Sequence, residues 1–165
     1  MPRKRIRDPD CGIAQSLGLF GDAWTLLIIR NAFFGARRFA DFQRQLGVSR
    51  NVLSDRLRHL VEDGILERVD EGVHGERYEY RLTPKGDALL PVLTSLREWA
   101  DEWVFGEGNE PLVMHDRATG RRVPRLQVRD QDGRVLTRRD LRARFGPGST
   151  QERKRRGKLG EPDTS

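Results

Sequence analysis

The sequence is poor in the residues that carry covalent chemistry. It holds one cysteine and three histidines in 165 positions. A lone cysteine cannot close an internal disulfide, which fits a reducing compartment. His59, His74 and His115 are too dispersed to suggest a metal site, and no cofactor signature is legible. No nucleophile stands beside a base, and no phosphate-binding glycine loop runs into a lysine, so an enzyme is not expected. GARRF, GEGNEP and FGPGST read as turns or linkers. No apolar run approaches the roughly eighteen residues that cross a bilayer. The basic N-terminus lacks the apolar segment of a secretory signal, so a cytoplasmic protein without a membrane partner is expected.

Positive charge is abundant. Lys and Arg number 31 against 25 acids, a formal net charge of +6. Residues 121–158 hold fourteen Arg or Lys against four acids, and Arg3, Lys4, Arg5 and Arg7 open the chain. Such a balance attracts polyanions, with nucleic acid first among them and an acidic membrane surface second.

Apolar spacing organises residues 11–104. Ile13, Ala14, Leu17 and Phe20 recur at helical steps until Gly21. Asp22 opens a second helix, through Phe34, that is apolar on most sides and stops at Gly35. Phe39, Phe42 and Leu46 mark a third, ended by Gly47. Ser49 suits the N-cap of a fourth, whose stripe is Leu53, Leu57, Leu60 and Val61, with Gly64 closing it. ILERV and RYEYRL, separated by EGVHGE, predict a β-hairpin. Thr83 and Pro84 then launch a long helix to residue 104, bent near its start by Pro91. Along it Leu89, Leu93, Leu96, Ala100 and Trp103 form a seam suited to another helix.

This order predicts a mainly α fold with a small β-hairpin wing, α+β in class: a winged helix-turn-helix. In that arrangement the second helix of the pair enters the major groove, where every base pair shows a distinct donor and acceptor pattern. Removing the apolar stripe from the fourth helix leaves Ser49, Arg50, Asn51, Ser54, Asp55 and Arg58 outward. Arg reads guanine and Asn reads adenine, so Arg50, Asn51 and Ser54 are assigned to base edges and Arg58 to a phosphate. Arg38, and His74 and Arg77 in the wing, complete the set of DNA contacts. Asp55 repels the DNA backbone unless Arg56 or Arg58 pairs with it.

The run CGIAQSLGLFGDAWTLLIIRNAFFGARRFADFQRQLGVSRNVLSDRLRHLVEDGILERV, continued by RYEYRLTPKGDALLPVL, resembles HxlR-type transcription regulators over residues 11 to about 104. The likeness lies in W-T-L-L-I-x-R, G-x-R-R-F, L-S-x-R-L-x-x-L-x-x-x-G-I-L and Y-x-L-T-x-x-G. It implies a homodimer, built from the N-terminal helix (Ile13, Leu17) and the long helix after the wing. Two recognition helices ~34 Å apart would then bind an inverted repeat. Repression is preferred from the resemblance alone. Some such regulators sense oxidants through a cysteine placed like Cys11. The alternative is a small packed hydrophobe, and Gly12 stands where the family commonly has Pro.

The resulting division is a basic arm at 1–10, the DNA-binding and dimerisation domain at 11–105, a small β-rich appendage at 106–146 and a disordered basic tail at 147–165. The appendage resembles a metal-knuckle-like extension of some relatives. Thr119, Arg129 and Asp132 stand where cysteines would be, so it is expected to hold no metal. Two other readings stay open. One is a non-sequence-specific architectural or RNA-binding protein driven by the tail. The other is a small-molecule effector received among Trp24, Phe33, Phe34, Trp99 and Trp103, which core packing would also explain.

Overall fold

The computed structural model describes residues 10–70 and 78–153. They form two units, one within residues 23–135 and the other of residues 10–22 with 136–153. The fold is mainly helical with one two-stranded antiparallel sheet.

Within Ala23–Val135, three helices and a hairpin enclose the core. Helix α2 (Ala23–Phe33) packs on α3 (Phe39–Leu46) and α4 (Arg50–Glu62). It also touches β2 (Tyr78–Leu82), which pairs with β1 (Leu66–Asp70) in the register Leu66↔Leu82 to Asp70↔Tyr78. Ile28, Ile29, Ala32, Phe42, Leu53, Leu57, Leu60, Ile65 and Leu66 are each at most 1% exposed. Each large side chain among them contributes about 1.5 to 3 kcal/mol by leaving water. The hairpin is fastened to the helices by the Tyr80 N–H, which donates to the Arg37 carbonyl at 2.8 Å. Phe42 meets the Tyr80 ring edge-on, centroids 6.3 Å apart. Among the described residues no single helix is long and apolar enough to cross a membrane.

The long helix expected from Pro84 to residue 104 is divided. A single turn, α5 (Pro84–Asp87), is followed by α6 (Leu90–Ala100) and a π-helical turn at Asp101–Phe105. Pro91 does not bend a continuous rod. It occupies the first turn of α6, where its missing N–H has no helical partner to lose.

The outward row of α6 also differs from the expected seam. Trp99 and Trp103 are 61% and 69% exposed, and Val92 and Leu96 continue their row at helical steps. Leu93 and Ala100 are half-buried and, with Leu96, line a groove beside α2, while Leu89 is half-buried. Core packing does not account for Trp24, Phe34, Trp99 or Trp103, all of which are exposed.

The β-rich expectation for 106–146 reduces to two bridged turns. Isolated antiparallel bridges join His115 to Arg122 and Arg129 to Val135, and no strand forms there. In the first turn the Asp116 carboxylate accepts the N–H groups of Ala118 and Thr119, both at 2.8 Å. These bonds, that of the Thr119 N–H foremost, hold its carboxyl below the usual value. In the second, Asp130 accepts from the N–H of Asp132 and of Arg134. Pro124 interrupts the run between them, and Val123, Leu126, Val128 and Val135 are exposed, so a sheet here would have nothing to bury.

In the other unit, Cys11 caps α1 (Gly12–Phe20), its sulfur accepting the Ala14 N–H at 3.4 Å. Ile13 is 74% exposed, and Leu17 is exposed beside it. The expectation of disorder from 147 onward is corrected for residues 147–153. Ser149 accepts the Glu152 N–H at 3.0 Å, starting a helical turn, and the Thr150 N–H donates to Asp10 at 2.8 Å.

Candidate nucleic-acid interface

The helix-turn-helix is built by short local signals. Asp41 holds the start of α3 by accepting the Arg38 N–H at 3.2 Å. Gly47 ends α3 at φ +63, a left-handed conformation that costs glycine little, and its N–H donates to Gln43. Buried Val48 fills the turn. Ser49 then caps α4 by accepting the Val52 N–H at 3.4 Å.

Helix α4 presents two unlike faces. Leu53, Leu57 and Leu60 are fully buried, whereas Ser49, Arg50, Asn51, Ser54 and Arg58 are exposed. Arg50 opens the helix with its guanidinium 5.3 Å from the Phe39 ring centroid. A cation over a ring face is worth about 0.5 to 1 kcal/mol at an exposed site, enough to bias the rotamer without locking it. Phe39 was legible only as one member of the apolar row of α3; its role as a rest for Arg50 was not.

The other cations of α4 are already engaged. Arg58 donates to Asp55 at 2.7 Å and to Glu62 at 2.8 Å, and Arg56 donates to Asp55 at 2.8 Å. The nearer ring nitrogen of His59 lies 3.5 Å from the same carboxylate. Burial pushes the Asp55 carboxyl up, but the Arg58 hydrogen bond and the charges of His59, Arg56 and Arg58 outweigh it and hold it below the usual value. Asp55 is thus paired with both arginines that could relieve its repulsion. Arg58 reaches a phosphate only by exchanging a carboxylate for it.

Flanking positions add charge. Arg38 is exposed, 3.8 Å from Glu79 in β2. Arg68 and Arg81 are exposed on the hairpin, Arg68 stacked 3.9 Å from the Tyr78 ring centroid and Arg81 bridged to Glu79 at 3.0 Å. Neither belongs to the contacts expected from sequence; the two sit on adjacent rungs of the hairpin, Arg68 opposite Tyr80 and Arg81 opposite Glu67. His74 and Arg77 lie outside the described residues.

An α4 with a fully seated apolar flank and an exposed Arg-Asn-x-x-Ser leading edge can enter a groove of its own width and offer donors and acceptors to base edges. Comparison with known proteins points the same way. The model of the HxlR-like helix-turn-helix family matches residues 19–107. Rv3095 of Mycobacterium tuberculosis, an uncharacterised HTH-type transcriptional regulator, is 38% identical over 136 residues, 82% of this chain and 86% of its own. The solved structure of PA1607, a candidate transcription factor, superposes with a TM-score of 0.76 at 42% identity, covering 82% of this chain and 95% of that one. The redox regulator HypR in its oxidised form matches 55% of this chain and 94% of its own, with a TM-score of 0.51 and 28% identity.

Proposed function

The chain belongs to the HxlR-like helix-turn-helix family of transcription regulators, and from that premise we propose that it is a cytoplasmic homodimeric repressor that reads an inverted-repeat operator through α4. The observation that carries the reading is the exposure of Arg50, Asn51 and Ser54 on a helix whose opposite side is fully buried. Lys and Arg contacts with phosphates supply most of the affinity, and the α4 leading edge supplies sequence choice. The exposed row Val92, Leu96 and Trp99 on α6, continued by Trp103 in the π-helical turn, and Ile13 and Leu17 on α1, are the surfaces offered to a second subunit.

Selection of bound duplexes from a random pool tests this. The expected outcome is an inverted repeat with half-site centres ~34 Å apart, retained as salt rises. Equal binding of all duplexes, abolished together by salt, would instead favour the charge-driven architectural reading. The same assay after mild peroxide, on the wild type and on Cys11→Ser, addresses redox response. The likeness to HypR and the half-exposed Cys11 motivate it. A peroxide response that survives the substitution removes Cys11 from the reading.

The Asp55 cluster makes a second prediction. Asp55→Asn releases Arg56 and Arg58 from a carboxylate, so affinity for any duplex rises and the salt slope steepens by about 1 per subunit. A salt titration of a non-operator duplex measures it; an unchanged slope would show that neither arginine reaches phosphate. Because the folded chain holds this carboxyl below its usual value, its contribution to stability is full above about pH 4 and is lost as pH falls through the lowered value. Asp55→Asn therefore also has a flatter acid-unfolding limb.

A further inference from the structure

Between α2 and α6 lies a groove of about 800 Å³, all of it within the Ala23–Val135 unit. Its apolar walls are Leu27 and Phe33 from α2, Phe34 just beyond it, Leu93 from α6, and Leu112 and Met114 from the segment beyond the π-helical turn. The size falls in the range of small-molecule sites, which are mostly apolar with a few placed polar groups. Here cations predominate among those groups.

Three arginines line the groove, Arg30, Arg97 and Arg117, with Asp101 as the one acid. Asp101 is 4% exposed and accepts from Arg97 at 2.8 Å, so its charge is matched from within. Arg97 also donates to the Leu112 carbonyl at 3.0 Å, which ties the segment beyond the turn to α6. Arg30 spends Nε and one terminal nitrogen on the Asn31 side chain, at 2.9 and 2.8 Å, leaving its other terminal nitrogen unused. Arg117 is exposed and has no hydrogen-bond or ion-pair partner among the described residues. The groove therefore joins an apolar interior to two guanidinium groups with donors to spare.

We propose that this groove binds a small, largely apolar organic anion, an aromatic carboxylate in class, with its ring among Phe33, Leu93 and Leu112 and its carboxylate received by Arg117 and Arg30. A second copy of the chain is the competing occupant. The charge on the walls favours the anion, and of the exposed row offered to another subunit only Leu96 lines the groove; Val92, Trp99 and, in the π-helical turn, Trp103 do not. Binding would reach the reading helix through α2, which carries the groove on one side and packs on α4 on the other. Only that last step rests on the regulator reading; occupancy of the groove does not.

Calorimetric titration of the full chain without DNA, using 2-naphthoate and its neutral analogue 2-naphthamide, tests the site. Naphthoate is expected to bind saturably and about tenfold more tightly than the amide, the worth of a charge-assisted hydrogen bond. Arg117→Gln, an exposed substitution, should erase that preference while leaving amide binding in place. Thr94→Trp, which fills the groove from α6, should abolish both, provided its thermal midpoint matches the wild type; the Arg117→Gln result decides the matter if it does not. Equal binding of the two probes overturns the anion assignment. Failure of both probes, together with sedimentation of Thr94→Trp as a monomer where the wild type is a dimer, would give the groove to the second copy. Loss of operator specificity in Arg50→Ala leaves the naphthoate titration unchanged, so the two readings fail separately.

Discussion

Gly86→Ala is expected to lower the stability of the chain by about 3 kcal/mol, because there is no space for a methyl group at that position. A Cβ there would lie 2.3 Å from the Ile65 carbonyl oxygen and 2.9 Å from a methyl of Leu82. The Leu82 methyl can rotate away. The carbonyl cannot, since it accepts both the backbone N–H and the hydroxyl of Thr83, at 3.1 and 3.2 Å. The Thr83 hydroxyl is also 2.7 Å from the Gly64 carbonyl, and its oxygen accepts the Gly86 N–H at 3.1 Å. One threonine thus joins the end of α4, the start of β1 and the first turn after the wing. Moving Gly86 out strains all three, at about 1 kcal/mol for each hydrogen bond lost. Chemical denaturation measures the effect, with Gly18→Ala as control: nothing lies within 4 Å of a Cβ at Gly18, so that change should be neutral or slightly stabilising. If Gly86→Ala unfolds at the wild-type denaturant concentration, the close junction is wrong.

That junction gives physical content to a motif that the sequence displays without explaining. In Y-x-L-T-x-x-G the threonine and the Thr83-Pro84 helix start were legible as capping signals, as were Ser49 before α4 and the glycine that ends α3. These are local chemistry, decided within four residues. The buried stripe Leu53, Leu57 and Leu60 was legible for the same reason, because a helix with one apolar face has one way to turn. Helix α6 offers more than one such face. Apolar residues lie at 89, 93, 96 and 100 and also at 92, 96, 99 and 103, and spacing alone does not say which row meets α2. Only the packed structure turns Leu93 and Ala100 toward the groove and Trp99 and Trp103 outward. The appendage failed differently. Its turns were legible at Thr119-Gly120 and Asp132-Gly133, where both glycines have positive φ, but strands need a face to bury and these segments have none. The pairing of Asp55 with two arginines was legible only as a condition, since rotamers of exposed side chains leave no periodic trace.

Arg50→Ala should relax base preference at one position of each half-site, by about 1 to 3 kcal/mol per site. If two subunits act independently, operator affinity falls by about 2 to 6 kcal/mol, or ~30-fold to ~10⁴-fold. Arg50 is the cation of α4 best placed for this role. It is exposed at the leading end of the helix and rests on Phe39, whereas Arg56 and Arg58 are held by carboxylates. Folding stability should change by no more than about 0.5 kcal/mol, since the side chain is exposed and the stacking it loses is weak. Selection from random duplexes, repeated with the variant, reads the effect directly. A base contact predicts that one symmetric pair of positions loses its preference while the salt slope stays near the wild-type value. A phosphate contact predicts the reverse: an unaltered motif, uniform weakening and a slope shallower by about 1 per subunit. The second pattern would move Arg50 from reading to positioning, and would leave Asn51 and Ser54 to carry the choice of sequence.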